Sequence, residues 1–409
     1  MRRLSLYLGM ALLAGLACAA GAADWPQWRG PDGDGIVKAK GFPDAWPAEG
    51  LKVIWEAGAG TGYSSPIVHE GVLYLLHHKG ADDVLTAMDP ATGQPIWLES
   101  WPVKFNDGGY PGPRATPTID GEFIYTYSGN GDLICRRLTN GREIWKINAI
   151  SEAGSTGNLG WGVSSSPAIY GDLLYVQAGE GGSVALAVNK TSGKVAWKSQ
   201  ARGAGGYAPV IKVTVGRNEQ LIVFGGQNTY GMDPATGRTL WTERFENTYK
   251  VSAATPIHKD GLVFVTSDYG LGCMMVRLTA RSGQSLWKDK SVQSRVATPI
   301  LDGDYLFANS EGTIKCLKWP DSKPVWENRD RRLNLGAGGM LVRFNGDKML
   351  TMSESGMLSM SKMTPEGVEL LGQQKVLSEK QVWATPLMHD GKIYVKGASK
   401  LICFGFGGE

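Results

Sequence analysis

A step of small residues ending in proline recurs down this chain and limits what it can fold into. It reads "SSP" ending at Pro66, "ATP" at Pro117, "SSP" at Pro167, "YAP" at Pro209, and "ATP" at Pro256, Pro299 and Pro386. The spacings are 51, 50, 42, 47, 43 and 87 residues. The last spacing spans two units, the second a degenerate one starting near Met340. Eight units at such a period indicate an array in which each unit buries its apolar face against its neighbours.

Each unit has the same internal order. An apolar strand follows the proline, then a tight turn: "HEG" at 69–71, "IDG" at 119–121, "KDG" at 259–261, "LDG" at 301–303, "FNG" at 344–346 and "HDG" at 389–391. Asp-Gly and Asn-Gly between alternating strands are hairpin signals, because the turn needs positive φ. A second strand follows, such as "VLYLL" or "LLYVQ". A third ends on a small residue, and a "TG" turn leads into a fourth that closes on tryptophan. Four antiparallel strands per 40–50 residues describe a propeller blade. The abundance of Gly (56) and Trp (14), with few helix caps and no long 3.6-residue period, agrees.

The closing tryptophans are Trp97, Trp145, Trp197, Trp241, Trp287 and Trp326, with Leu371 in the seventh place. The eighth unit, "ATPLMHDGKIYVKGASKLICFGFGGE", stops after three strands. "LKVIWEAG" at 51–58 is a strand of the closing type with no unit in front of it. We therefore expect it to supply the eighth unit's missing strand, with Trp55 as the eighth tryptophan, and to latch an all-β, eight-bladed ring shut. A closed ring leaves no open sheet edge to aggregate.

The run from small residue to tryptophan has a fixed length: "AMDPATGQPIW" at 87–97, "GMDPATGRTLW" at 231–241 and "AVNKTSGKVAW" at 187–197. It resembles the tryptophan-docking motif A-x-D-x-x-T-G-x-x-x-W of quinoprotein-type, PQQ-repeat propellers, over roughly residues 50–405. The resemblance implies that the tryptophan of one blade packs on the next and that the Asp/Thr/Gly turn braces it. It says little of activity, because two branches share the motif. One holds pyrroloquinoline quinone (PQQ) in the central channel as a dehydrogenase. The other binds without a cofactor and is similar to the propeller lipoprotein of the outer-membrane barrel assembly machinery and to secreted PQQ-repeat proteins.

The first 23 residues read as an export signal: Arg2 and Arg3, an apolar run from Leu4 to Leu16, then small residues with A-x-A-like cleavage up to Ala23. Cys18 leaves a lipoprotein option open. Without Arg2 and Arg3 the chain has 40 basic and 39 acidic residues, which argues against a nucleic-acid partner. No later apolar run is long enough to span a bilayer. Residues 24–50 hold Trp25, Trp28 and Trp46 among Pro and Gly, and should form an extended arm lying on a propeller of 51–409.

Few residues carry chemistry. Cys135, Cys316 and Cys403 share the position taken by Ala or Gly in other blades, so with Cys273 they should be unpaired: equivalent sites in separate blades are too far apart for a disulfide. No two cysteines are neighbours, whereas the PQQ dehydrogenases, by the resemblance, stack the quinone on such a pair. His69, His258 and His389 fall in first hairpin turns and should be solvated. His77 and His78 lack a spaced third metal ligand. Arg277, ten residues before Trp287, stands in a small-residue position, and the seventh blade is rich in Met: Met349, Met352, Met357, Met360 and Met363.

The segments before each proline should converge on one mouth of the channel. They carry Tyr63, Arg114, Trp161, Tyr207, Lys250, Arg295 and Trp383. Aromatic planes and guanidinium groups suit a planar carboxylated ligand or an acidic peptide. A PQQ dehydrogenase would also need a Ca²⁺ site and an Asp base, and no acidic cluster is evident in these loops. The expectation is an exported, periplasmic or secreted, monomeric scaffold that binds an envelope protein or a small ligand, with no cofactor, no catalytic residue and no metal. The alternative is a PQQ- and Ca²⁺-dependent alcohol or sugar dehydrogenase.

Overall fold

The computed structural model describes residues 24–38, 41–105 and 110–407; the expected export signal, its cleavage site and Cys18 lie outside them. Eight four-stranded antiparallel sheets follow one another, as expected. Seven are built from strands in chain order: blade 1 (67–102), blade 2 (118–148), blade 3 (168–198, with the short strand Gly182–Ser183 pairing outside it), blade 4 (211–244), blade 5 (257–289), blade 6 (300–327) and blade 7 (340–375). Blade 8 (387–405) has three strands of its own and takes Lys52–Gly58 as its fourth, paired with Lys400–Gly405 and with Trp55 opposite Cys403. Helix among the described residues is limited to Ala149–Glu152 and one 3-10 turn, Arg331–Leu333.

The outermost strand of every blade carries a one-residue bulge before the tryptophan position. The bulged residue is Ile54, Ile96, Ile144, Ala196, Leu240, Leu286, Val325 or Leu371, and several of these side chains face solvent. A bulge twists an edge strand away from further pairing. It also aims the indole at the next blade. There the indole N–H donates to a turn carbonyl: Trp55 to Pro90 (3.1 Å), Trp97 to Leu138 (3.1 Å), Trp145 to Lys190 (2.9 Å), Trp197 to Pro234 (2.9 Å), Trp287 to Pro320 (3.2 Å) and Trp326 to Thr364 (2.9 Å). Trp241 reaches its neighbour through Gln220, which accepts the indole N–H at 2.8 Å and donates to Thr279 O at 2.6 Å. The "TG" glycine lies flat under the ring: a Cβ on Gly237 would come within 2.4 Å of Trp197, and its φ of +68° already excludes most residues.

The proline step is an inter-blade clamp. Thr385 N–H donates to Ser65 Oγ (2.8 Å), Ser65 N–H to Thr116 Oγ1 (3.1 Å), Thr116 N–H to Ser166 Oγ (2.9 Å) and Thr255 N–H to Thr298 Oγ1 (2.9 Å). "YAP" has no hydroxyl at Ala208. Gln177 compensates, donating to the Ala208 (2.7 Å) and Phe224 (3.2 Å) carbonyls and accepting from Gly206 N–H (2.6 Å).

Three expectations are corrected. Leu371 is the bulge, so the tryptophan place of blade 7 belongs to Gly372, opposite Met360. Trp46 of the arm lies over that glycine: a Cβ there would sit 2.1 Å from the Trp46 Cγ. The third and fourth strands of blade 8 come from the two chain ends, so no turn joins them to receive a blade-7 tryptophan, and the arm's indole fills the space instead. Arg277 pairs with Gln284 and is exposed, while Met275 stands opposite Trp287, because the turn in blade 5 is two residues longer. His389 is buried and His69 pairs with Asp24 (2.8 Å), because the arm covers the face carrying the first hairpin turns. Met349, Met352, Met360 and Met363 are buried within the sheet packing of blade 7. The four cysteines of the described residues are free and buried.

Candidate functional site

The arm determines the form of the channel. Trp25 pairs through its backbone with Val68 of blade 1, and Pro26 O accepts from Ile119 of blade 2. The Trp28 indole N–H then donates to Thr255 Oγ1 near blade 5 (3.1 Å). Arg29 donates to the carbonyls of Gly33, Thr298 and Pro299 (3.0 Å each) and Asp34 (2.6 Å). Burial pushes the Arg29 pKa down to about 10, and those four carbonyls supply the hydrogen bonds a buried cation needs. Val37 N–H reaches Arg343 O of blade 7 (2.7 Å). The arm thus crosses one end of the channel, with Trp28 between the cavity on that side and the one at the other end.

At the other end the channel opens as a cavity of about 340 Å³. Six of the seven ring residues expected from the sequence line it: Tyr63, Arg114, Trp161, Tyr207, Arg295 and Trp383. Lys250 does not; with φ at +55° it turns to Glu180 (3.4 Å). On one side Trp161 stands edge-on to both Tyr207 and Tyr249, at 6.2 Å each, and Tyr249 meets Tyr269 at 4.8 Å. On the other, Tyr63 and Trp383 lie 4.8 Å apart with their planes tilted by 37°. The Arg114 guanidinium sits over Tyr63 (5.6 Å) and Phe105 (5.0 Å) and donates to the carbonyls of Gly112 and Tyr110.

Arg295 lies over Tyr269 at 5.2 Å, and its Nε donates to Asp268 Oδ2 at 2.8 Å. Burial works against this cation, but the bond to Asp268 and nearby negative charge more than offset it and hold its pKa above the ordinary arginine value. Burial raises the pKa of Tyr207 and Tyr269, keeping both phenols neutral. Sequence reasoning missed Tyr110, Tyr269, Trp28 and Met340 in the lining, and the carboxylates Asp268 and Glu354 beside it. Glu354 accepts the Trp383 indole N–H at 2.7 Å. Asp268, Tyr269 and Glu354 belong to turns between second and third strands, which share the face with the pre-proline loops; that shared face was the available signal.

These side chains do not fit a calcium–quinone centre. Among the described residues no three His, Cys, Asp or Glu side chains cluster as metal ligands, and no pair of neighbouring cysteines is present on which a quinone could stack.

The fold and its docked tryptophans define the class: a PQQ-repeat propeller with an arm across one end of its channel. The family of outer membrane protein assembly factor BamB matches residues 81–328, more than half of the chain, and the chain belongs to that family. It is 20% identical over 383 residues to the outer membrane protein assembly factor BamB of Bordetella pertussis, covering 82% of this chain and 91% of that protein. A second relative of the same name, from Moranella endobia, is 24% identical over 264 residues, 63% of this chain and 62% of that protein. Among solved structures, BamB from Moraxella catarrhalis matches with a TM-score of 0.62 at 13% identity, over 88% of this chain and 98% of that one. A europium-containing methanol dehydrogenase matches at 0.54 and 12%, over 94% and 98%. At these identities the two structures speak to fold alone.

Proposed function

We propose that the protein is an exported, non-catalytic scaffold in outer membrane protein assembly, working in the periplasm without a cofactor and binding another envelope protein through the open mouth of its channel. The observation that carries this reading is the family match across the propeller, joined to side chains that do not fit a quinone and calcium. The dehydrogenase alternative has only distant likeness of fold behind it. The mouth suits a protein partner: Tyr249, Tyr110 and Trp161 are 55%, 43% and 36% exposed there, beside Arg114 and Arg295. Tyrosine, tryptophan and arginine are the residues that dominate interface energetics, and exposed aromatics gathered at one mouth mark an interaction surface. No helix among the described residues is long and apolar enough to cross a membrane, so contact with the membrane would come through partners or through a lipid on Cys18.

The test is photo-crosslinking in the native host, with a photoreactive amino acid in place of Tyr249. We expect a crosslink to a component of the outer membrane assembly machinery, and none from the same group placed at exposed Arg277 on the third strand of blade 5. Equal crosslinking from both positions, or none from Tyr249, would reject the mouth as the interface.

A further inference from the structure

The cavity inside the mouth has the chemistry of a specific small-ligand site. Trp28, held by its bond to Thr255, stands at its inner end, with a second cavity beyond it under the arm. A volume of about 340 Å³ lies near the lower end of ordinary ligand pockets and holds a single ring with one polar group. Tyr63 and Trp383 on one wall, facing Trp161 and Tyr207 across the opening, offer a flat apolar group edges and faces to pack on.

One wall carries an oriented cation. Asp268, only 2% exposed, accepts the Tyr269 N–H through Oδ1 (2.6 Å) and the Arg295 Nε through Oδ2 (2.8 Å). Asp268 is thus fixed at both oxygens and holds the guanidinium plane. The two terminal nitrogens of Arg295 make no hydrogen bond among the described residues, leaving four N–H donors on a pre-oriented fork. A carboxylate matches that fork with two parallel bonds. Charge balance limits how much negative charge fits. Asp268 is bonded to Arg295 and Glu354 stands near it, so the charge of this cation is already matched before anything binds. One carboxylate is tolerated through its bidentate contact; two or three would meet repulsion from the buried Asp268 and the half-buried Glu354.

From this geometry we infer that the cavity binds an aryl monocarboxylate, its ring between the aromatic walls and its carboxylate on Arg295. That chemistry has two sources: a free aromatic acid, or the C-terminal aromatic residue of a polypeptide. The inference rests on the channel mouth being a binding site, yet its test is separate from the crosslinking above. A failure here leaves the protein interface standing, and the reverse holds too.

The probe is 3-(4-fluorophenyl)propionate, followed by fluorine NMR line broadening with the full-length mature protein. For a ligand of that size, dissociation constants of about 1 mM are the relevant scale. We expect saturable binding of the acid and at least tenfold weaker binding of its amide and of PQQ. Arg295→Met should weaken the acid at least tenfold and leave the amide unchanged. Arg295→Lys, which keeps the charge without the fork, should fall between; a circular-dichroism melt verifies that both variants fold. A hexapeptide ending in free phenylalanine that binds tighter than the small acid, and loses this on amidation, identifies a chain end as the source. A peptide weaker than the small acid identifies a free acid. Equal binding of acid and amide, tighter binding of PQQ than of the acid, no binding of the acid, or an acid affinity unmoved by Arg295→Met would overturn the inference.

Discussion

Trp46 and Gly372 provide the sharpest test of how this ring is completed. In seven blades the docking indole belongs to the outer strand; in blade 7 the arm brings it from elsewhere in the chain. Trp46→Ala removes a half-buried indole. A fully buried tryptophan cut to alanine costs about 3–5 kcal/mol, so half burial gives about 2 kcal/mol. Gly372→Trp alone puts a Cβ 2.1 Å from the Trp46 Cγ. Two indoles cannot share the space, and overpacking of this kind costs about 1–3 kcal/mol. The double variant restores one indole from the strand itself, as the other blades do. Met360 opposite is no obstacle, since Met275 stands opposite Trp287 in blade 5. Added independently, the two changes would cost about 4 kcal/mol; we expect the double variant within about 1 kcal/mol of the wild type, hence a coupling of about 3 kcal/mol. Urea unfolding of the four proteins measures this. An additive double variant, or a Gly372→Trp protein as stable as the wild type, would refute the substitution of one indole for another.

Removing residues 24–56 deletes the arm and most of the closing strand, and should give an aggregation-prone protein whose melting temperature is many degrees lower; an unchanged melting temperature would contradict ring closure by Lys52–Gly58. Burial raises the thiol pKa of Cys135, Cys273 and Cys403 to about 12 and that of Cys316 to about 11. Alkylation without reductant should therefore modify none of these four in the folded protein and all four in denaturant, by mass spectrometry. Burial first, then the charges of Lys396 and Lys79, push the His77 pKa down to about 4. The unfolded chain takes up this proton near pH 6.5 and the folded one does not, so His77 removes up to about 3 kcal/mol of stability as pH falls from 6.5 to 4, and has no effect above that window. His77→Gln should flatten the fall in urea midpoint across that window; an unchanged slope would exclude His77 as its source.

The ring was legible in the sequence because its period, its hairpin turns and the tryptophan-docking run all repeat, and because a blade lacking one strand must find it at the other chain end. Errors arose where one or two extra residues escape a count. A bulge moved the blade-7 position from Leu371 to Gly372, and a longer turn moved the blade-5 position from Arg277 to Met275. Packing across distant segments was not readable: nothing local says that Trp46 covers Gly372, or that Trp28 enters the channel, because both contacts depend on the path of an irregular arm. Of the site, the pre-proline loops gave Tyr63, Arg114, Trp161, Tyr207, Arg295 and Trp383, since each directly precedes an innermost strand. Asp268, Tyr269 and Glu354 lie in turns whose lengths vary between blades, so no fixed spacing marks them.

The most direct measurement for the functional account is the outer membrane proteome of a strain lacking this gene. Quantitative mass spectrometry of isolated outer membranes should show β-barrel proteins reduced as a group, with recovery on expression of the wild-type protein. Barrel proteins at wild-type levels, together with loss of a PQQ-dependent oxidation, would contradict the scaffold and point to the dehydrogenase.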